Sequence, residues 1–212
     1  MTGLFAVLEA EVRTILESAS GCHDFDHTMR VLANARKLAA LESGADLTVV
    51  ETAALLHDIG RPEEIRSKGR HCHARYGAEQ AAELLEKHGC EPEFIVKVAA
   101  CVRTHRFRGK LIPQTLEEKI VYDADKLDSI GAVGIGRAFY FAGREGARLH
   151  NTAEEAMNSA EYSREDSAYR EYLVKLRHIE DRMLTGAGRE LAHERAAFMH
   201  EFFARLNDEA GQ

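Results

Sequence analysis

At 212 residues, the chain suits one domain and is long enough to bury a sizeable core. With 45% hydrophobic and 30% charged residues it does not read as a disordered polymer, and a net charge of −7 argues against broad nucleic-acid binding, which needs a positive face. A local cluster of Arg and Lys would still be enough to hold one phosphate.

The segment from Met1 to Glu11 does not read as a signal peptide, because it lacks a basic leader and Glu9 and Glu11 interrupt its apolar run. No stretch approaches the ~20 apolar residues needed to span a bilayer. Cys22, Cys72, Cys90 and Cys101 show no Cys-x-x-Cys pairing and are read as reduced thiols, which sets the expectation of a cytoplasmic protein.

Nearly every segment predicts helix, since prolines and β-branched runs are scarce and Ala, Leu, Glu and Arg dominate. Leu4 to Glu17 is a first helix. Asp24 or Asp26 caps a second, which ends near Ser43 at Gly44. Its His27, Val31, Ala35 and Leu38 share one stripe, so His27 points inward. Thr48-x-x-Glu51 is a capping box for a third helix, in which Val50, Ala53, Ala54 and His57 share a face. That helix should stop just after His57-Asp58, because Gly60 accepts a left-handed cap and Pro62 cannot continue a helix.

A loop from Arg61 to Arg70 leads to a helix over His73–His88, with His73, Gly77, Ala81 and Leu84 inward and Gly77 allowing close backbone approach. Pro92 opens the next helix, which aligns Ile95, Val98, Val102 and His105. Phe107 to Pro113 is read as a loop. Thr115-x-x-Glu118 opens a helix through Asp123-Ala-Asp-Lys-Leu-Asp128, where Val121, Ala124, Asp125 and Asp128 share a face. Gly131, Gly134 and Gly136 are read as packing glycines, since no strand precedes them to support a dinucleotide loop. Arg144–Ser159 is expected to be a mobile surface excursion. Two long amphipathic helices, about Ser163–Met183 and Gly188–Asp208, close the chain and offer a face for a homodimer.

Periodicity alone therefore turns His27, His57, His73 and His105 inward near helix ends, together with Asp58 and Asp125. Burying so many titratable groups costs several kcal/mol unless a charge compensates them. A divalent metal does so, and His/Asp ligation suits Mn, Fe, Ni, Zn or Co more than Ca or Mg alone.

The order His27, then His57-Asp58, then Asp125 within Asp123-Ala-Asp-Lys-Leu-Asp-Ser-Ile-Gly131, on successive helices, resembles the HD-domain metal-dependent phosphohydrolases. The resemblance covers about residues 20–140, and the last helices look like the tail of small bacterial and archaeal members. It implies an all-α, single-domain helical bundle over 1–212, with a metal-site core at about 20–140 and a C-terminal extension at about 160–210. It also implies that His27, His57, Asp58 and Asp125 hold one divalent ion, with Mg as a further candidate. His73 and His105 fall where two-metal members supply ligands to a second ion, and Asp58 would then bridge. Cyclic-dinucleotide phosphodiesterases of the family carry a Gly-Tyr-Pro motif after the equivalent of His105, whereas this chain reads Thr104-His-Arg-Phe-Arg-Gly-Lys110. The departure leaves the metal count open, and His73 and His105 could instead contact phosphate.

The function so implied is hydrolysis of a phosphate ester or anhydride in a nucleotide or similar small metabolite. A bound ion lowers the pKa of its water from 15.7 toward ~7, so that hydroxide can attack phosphorus in line. Asp58, His73, His105 and Arg106 are the candidate catalytic residues, and Arg106, Arg108 and Lys110 the candidate phosphate ligands. Glu63 and Glu64 are candidates for acid or base. His71 and Lys126 are read as surface residues, Lys126 with Asp123 as an alternative partner. Two other functions use the same residues: a di-iron oxygenase, as some HD-fold proteins are, and a non-catalytic nucleotide sensor.

Overall fold

A computed structural model describes residues 2–17, 24–106 and 111–212, and it is all-α, with no strand among the described residues. Two compact units divide the chain, Met1–Asp125 and Lys126–Gln212. The first contains α1 (Thr2–Leu16), α2 (Phe25–Leu41), α3 (Leu47–Leu56), α4 (Arg61–Arg66), α5 (His73–Lys87), α6 (Pro92–Thr104) and most of α7 (Leu116–Leu127). Within it, α2 packs on α3, α3 on α6, and α6 on α5.

The inward stripes form the core of this unit. Val31, Ala35 and Leu38 of α2 and Val50, Ala53 and Ala54 of α3 are wholly buried. Asp24 caps α2 by accepting from the His27 backbone N–H at 2.9 Å. The cap of α3 is Asp46, which accepts from the backbone N–H groups of Thr48 and Val49. Thr48 therefore lies inside the helix rather than at its cap, and Glu51 pairs with Arg36 at 2.6 Å instead of closing a capping box. In α5 the buried leucine is Leu85, one position beyond Leu84, which is half-buried. Thr115 does cap α7, but the Glu118 carboxylate accepts from the Gln114 N–H, one residue earlier than a capping box requires.

The second unit holds α8 (Gly131–Arg144), α9 (Ala153–Asn158), α10 (Ala168–Val174), two short 3-10 turns at Leu176–His178 and Glu180–Arg182, and α11 (Gly186–Glu209). Here α8 packs on α11 and α10 on α8 and α9, with Tyr172 stacked on Phe203 at 4.4 Å between ring centroids. The expected excursion at 144–159 contains α9, closed by a capping box between Thr152 and Glu155, and buries Asn151. The expected long helix over 163–183 is broken at Lys175, whose φ of −141° leaves helical geometry. Gly131 and Gly134 are packed closely, but a Cβ at Gly136 would meet nothing within 4 Å. No helix of the described residues is long and apolar enough to cross a membrane.

Candidate metal centre

His57 lies one residue past the end of α3, in right-handed backbone geometry (φ −58°, ψ −35°) that keeps its side chain on the inward stripe. The turn that follows brings α4 hard against the start of α5. A Cβ at Gly60 would collide with the His73 carbonyl oxygen and lie 2.8 Å from the Gly77 nitrogen. Gly60 has φ −82°, so its requirement is the close approach to α5 rather than the left-handed cap expected of it. Pro62 occupies the first turn of α4, which replaces the first part of the expected loop. Across the unit, the Asn34 side-chain amide donates to the Ala124 carbonyl at 3.1 Å, tying α2 to the turn of α7 that carries Asp125.

Six side chains converge where these elements meet. His27 and His57 are fully buried, Asp58 and His105 are 1% exposed, His73 2% and Asp125 9%. The rings form a row, with centroids 5.2 Å apart for His27–His57, 5.1 Å for His57–His105 and 5.2 Å for His73–His105. Asp58 stands against this row with its two oxygens divided. Oδ2 lies 3.6 Å from both His27 Nε2 and His57 Nε2, and Oδ1 lies 3.5 Å from His105 Nε2 and 3.7 Å from His73 Nε2. Asp125 Oδ1 is 3.5 Å from His27 Nε2. Ligand atoms thus gather in two groups, His27–His57–Asp125 and Asp58–His73–His105, each compact enough to hold one ion.

Outer partners set the ring orientations. His57 Nδ1 bonds the Ala54 carbonyl at 2.8 Å, and His105 Nδ1 the Val102 carbonyl at 2.7 Å. A carbonyl can only accept, so both rings carry a proton on Nδ1 and turn Nε2 inward, the orientation that metal ligands have. The Glu64 carboxylate treats His73 Nδ1 in the same way at 2.8 Å. Burial holds His57 neutral, pushing its pKa down to about 3, with Asp58 opposing and the neighbouring His105 and His27 reinforcing. Burial lowers His73 as well, against the Glu64 bond and the Asp58 charge. Neutral imidazole is the ligating form. His73 Nε2 is buried without a hydrogen-bond partner among the described residues, which is the observation that fits an ion.

Around this centre runs a charged relay. Arg61 donates from Nε to Asp58 Oδ1 at 2.9 Å and from Nη1 to Glu64 Oε2 at 2.9 Å. Arg106 Nη1 donates to Cys72 Sγ at 3.0 Å and lies 3.8 Å from Glu64 Oε1, so it meets the rim rather than the ligand row. Of the other expected site residues, Glu63 is turned away, paired with Arg66 and with His71 at 2.7 Å. These pairings leave Glu64 as the carboxylate beside the centre. His71 is exposed as expected, whereas Lys126 is buried, 5% exposed, and does not face solvent. Arg108 and Lys110, with Phe107, Cys22 and His23, lie outside the described residues. Cys72, Cys90 and Cys101 are free thiols. In the sequence Arg61 is only a cation neighbouring the His57-Asp58 motif, at the start of the expected loop. Its position three residues after Asp58, across a helix start, was the available signal.

Comparison with known proteins identifies the family. The HD domain family matches residues 24–130. The Bacillus subtilis protein YpgQ is 38% identical over 202 residues, covering 92% of this chain and 88% of that protein. A crystal structure of YpgQ in complex with ADP superposes with a TM-score of 0.75, at 31% identity over the superposed residues, covering 98% of this chain and 95% of that one. An HD superfamily hydrolase predicted from an uncultured Thermotogales bacterium gives a TM-score of 0.69 at 31% identity, over 96% and 91% of the two chains. An HD-superfamily hydrolase of Bacillus thuringiensis gives 0.74 at 26% identity, over 98% and 97%. With the family match, the extended relative and the converging His and Asp side chains all in agreement, the chain is a member of the HD-domain superfamily.

Proposed function

We propose that the chain is a metal-dependent phosphohydrolase that cleaves a phosphate ester or anhydride of a nucleotide or related small metabolite. The observation that carries this reading is the divided Asp58 carboxylate, set between two histidine pairs whose Nε2 atoms face it. Membership of a superfamily with hydrolase members supports hydrolysis, and the ADP bound by YpgQ supports a nucleotide.

In this reading His27, His57, Asp58 and Asp125 hold a divalent ion, of the Mn, Fe, Ni, Co, Zn or Mg class, and His73 and His105 face either a second ion or the phosphate. A bound ion supplies water activation near neutral pH and neutralises charge on the phosphoryl oxygens. The chain's own part is orientation. Carbonyls of Ala54 and Val102 fix the tautomers of His57 and His105, and Glu64 fixes that of His73. Asp58, 1% exposed, offers a carboxylate that can accept a proton from a nucleophilic water. Arg106, at the rim and 36% exposed along its side chain, can meet an incoming phosphate with a forked guanidinium.

The test is release of phosphate or pyrophosphate from a panel of nucleoside mono-, di- and triphosphates with Mn, Co, Ni or Mg. His57→Ala should lose bound metal and lower turnover by more than the roughly 10–100-fold that loss of an outer-shell partner brings. Silence across every metal and nucleotide from folded protein would reject the activity. Two irons per chain with substrate-dependent oxygen uptake and no phosphate release would favour an oxygenase.

A further inference from the structure

We propose that Arg61 takes the electrostatic place of a second cation, so that one divalent ion binds tightly and a second enters the Asp58–His73–His105 group only when the guanidinium leaves. The inference rests on the metal-centre reading above and concerns how many ions that centre holds.

The asymmetry lies in Asp58. An ion held by His73 and His105 would need Asp58 Oδ1, the oxygen nearest both Nε2 atoms, at 3.7 and 3.5 Å. That same oxygen accepts Arg61 Nε at 2.9 Å. Oδ2 is the oxygen that faces His27 and His57. Arg61 is also anchored a second time, by Nη1 on Glu64 Oε2, and this oxygen in turn takes the His73 Nδ1 bond. The guanidinium is therefore built into the second ligand group from two sides.

A guanidinium cannot shed its charge in a protein, so it cannot make room by deprotonating. A divalent ion brought to Oδ1 would share one carboxylate oxygen with a fixed positive charge a few ångströms away, a repulsion that weakens binding by roughly tenfold or more at a partly exposed site. The arginine side chain is 21% exposed, which gives it a way out toward solvent or toward an entering phosphate. Phosphate would then draw Arg61 from Asp58 and open the second group at the moment when two cations are most useful.

Titration of the full chain with Mn²⁺, followed by calorimetry and by electron paramagnetic resonance, tests this without an activity assay. Wild type should take one ion tightly with a mononuclear spectrum, and a second at least about tenfold more weakly. Arg61→Gln should tighten the second ion by about tenfold or more and add a spin-coupled pair signal, and Arg61→Lys should return the protein toward one ion. Two ions of similar affinity in wild type would overturn the proposal, as would an Arg61→Gln protein whose stoichiometry and spectrum match wild type. Should Arg61→Gln fail to fold, Arg61→Met removes the guanidinium from Asp58 Oδ1 while keeping the length of the side chain and leaving Glu64 on His73. Unchanged second-ion affinity there would equally overturn it. If wild type takes up no ion, the metal-centre reading itself fails; if it binds one and Arg61 proves irrelevant, only this inference does.

Discussion

His57 shows how a single buried residue links fold, metal and pH. Burial is the largest influence holding its pKa near 3 against an ordinary 6.5, so the folded protein keeps the ring neutral where the unfolded chain protonates it. The lowered value means that the unfolded state binds more protons between those two pH values, and stability must fall as pH falls through that window. For metal-free protein this one ring should cost about 2 kcal/mol between about pH 7 and about pH 5, and His73, lowered in the same direction, adds to it. Urea unfolding of chelated protein at the two pH values measures the loss directly; stability that held or rose toward pH 5 would contradict the buried, neutral rings. The four histidines and Asp125 were legible as helical stripes, because a 3.6-residue period needs only local sequence, and Asp58 by its place beside His57. The Arg61–Glu64–His73 relay was not. Its members meet because α4 lies against α5, and nothing local in Arg-Pro-Glu-Glu tells that Glu64 meets Arg61 and His73 while Glu63 meets Arg66 and His71.

At the scale of elements, the junction of α4 with α5 depends on two glycines facing each other across a gap that no side chain fits. Gly60→Ala would drive its methyl into the His73 backbone, which cannot rotate aside, and so should destabilise the fold by at least the roughly 1–3 kcal/mol typical of overpacking. It should also displace His73 and weaken metal binding. Gly136→Ala is the contrasting case. That glycine is exposed in α8 with open space around its Cα, and alanine there should stabilise by about 0.5–1 kcal/mol through helix propensity. Thermal melts of the two variants separate the cases, and a neutral Gly60→Ala would remove the close-approach argument. Sequence grouped Gly131, Gly134 and Gly136 together, since crowding around a helix depends on what packs there and not on the glycine. Element breaks were hidden for a related reason. Over 163–183 the apolar spacing suits a helix, yet Leu173, Leu176 and Ile179 follow one another at steps of three, a spacing that the tighter 3-10 geometry buries as well.

At the scale of the molecule, every side chain of the candidate centre belongs to the unit Met1–Asp125, and the ligands come from α2, the end of α3, the start of α5, the end of α6 and α7. An ion that binds only the folded arrangement stabilises it by mass action, by about 2.7 kcal/mol at a free concentration 100 times its dissociation constant. Ordering should be felt first by the elements whose ends the ion joins. Adding Mn²⁺ to chelated protein should therefore raise the melting temperature and slow amide hydrogen exchange most in α2, α3, α5 and α6. The segment from α9 through α11 supplies no ligand, so its amides should change least. His57→Ala should abolish both effects while Gly136→Ala keeps them. Protection concentrated in α9–α11, or spread evenly along the chain, would mean that the ion does not bind where the six side chains converge. An unchanged melting temperature in wild type would mean that the buried histidines are compensated by protein alone.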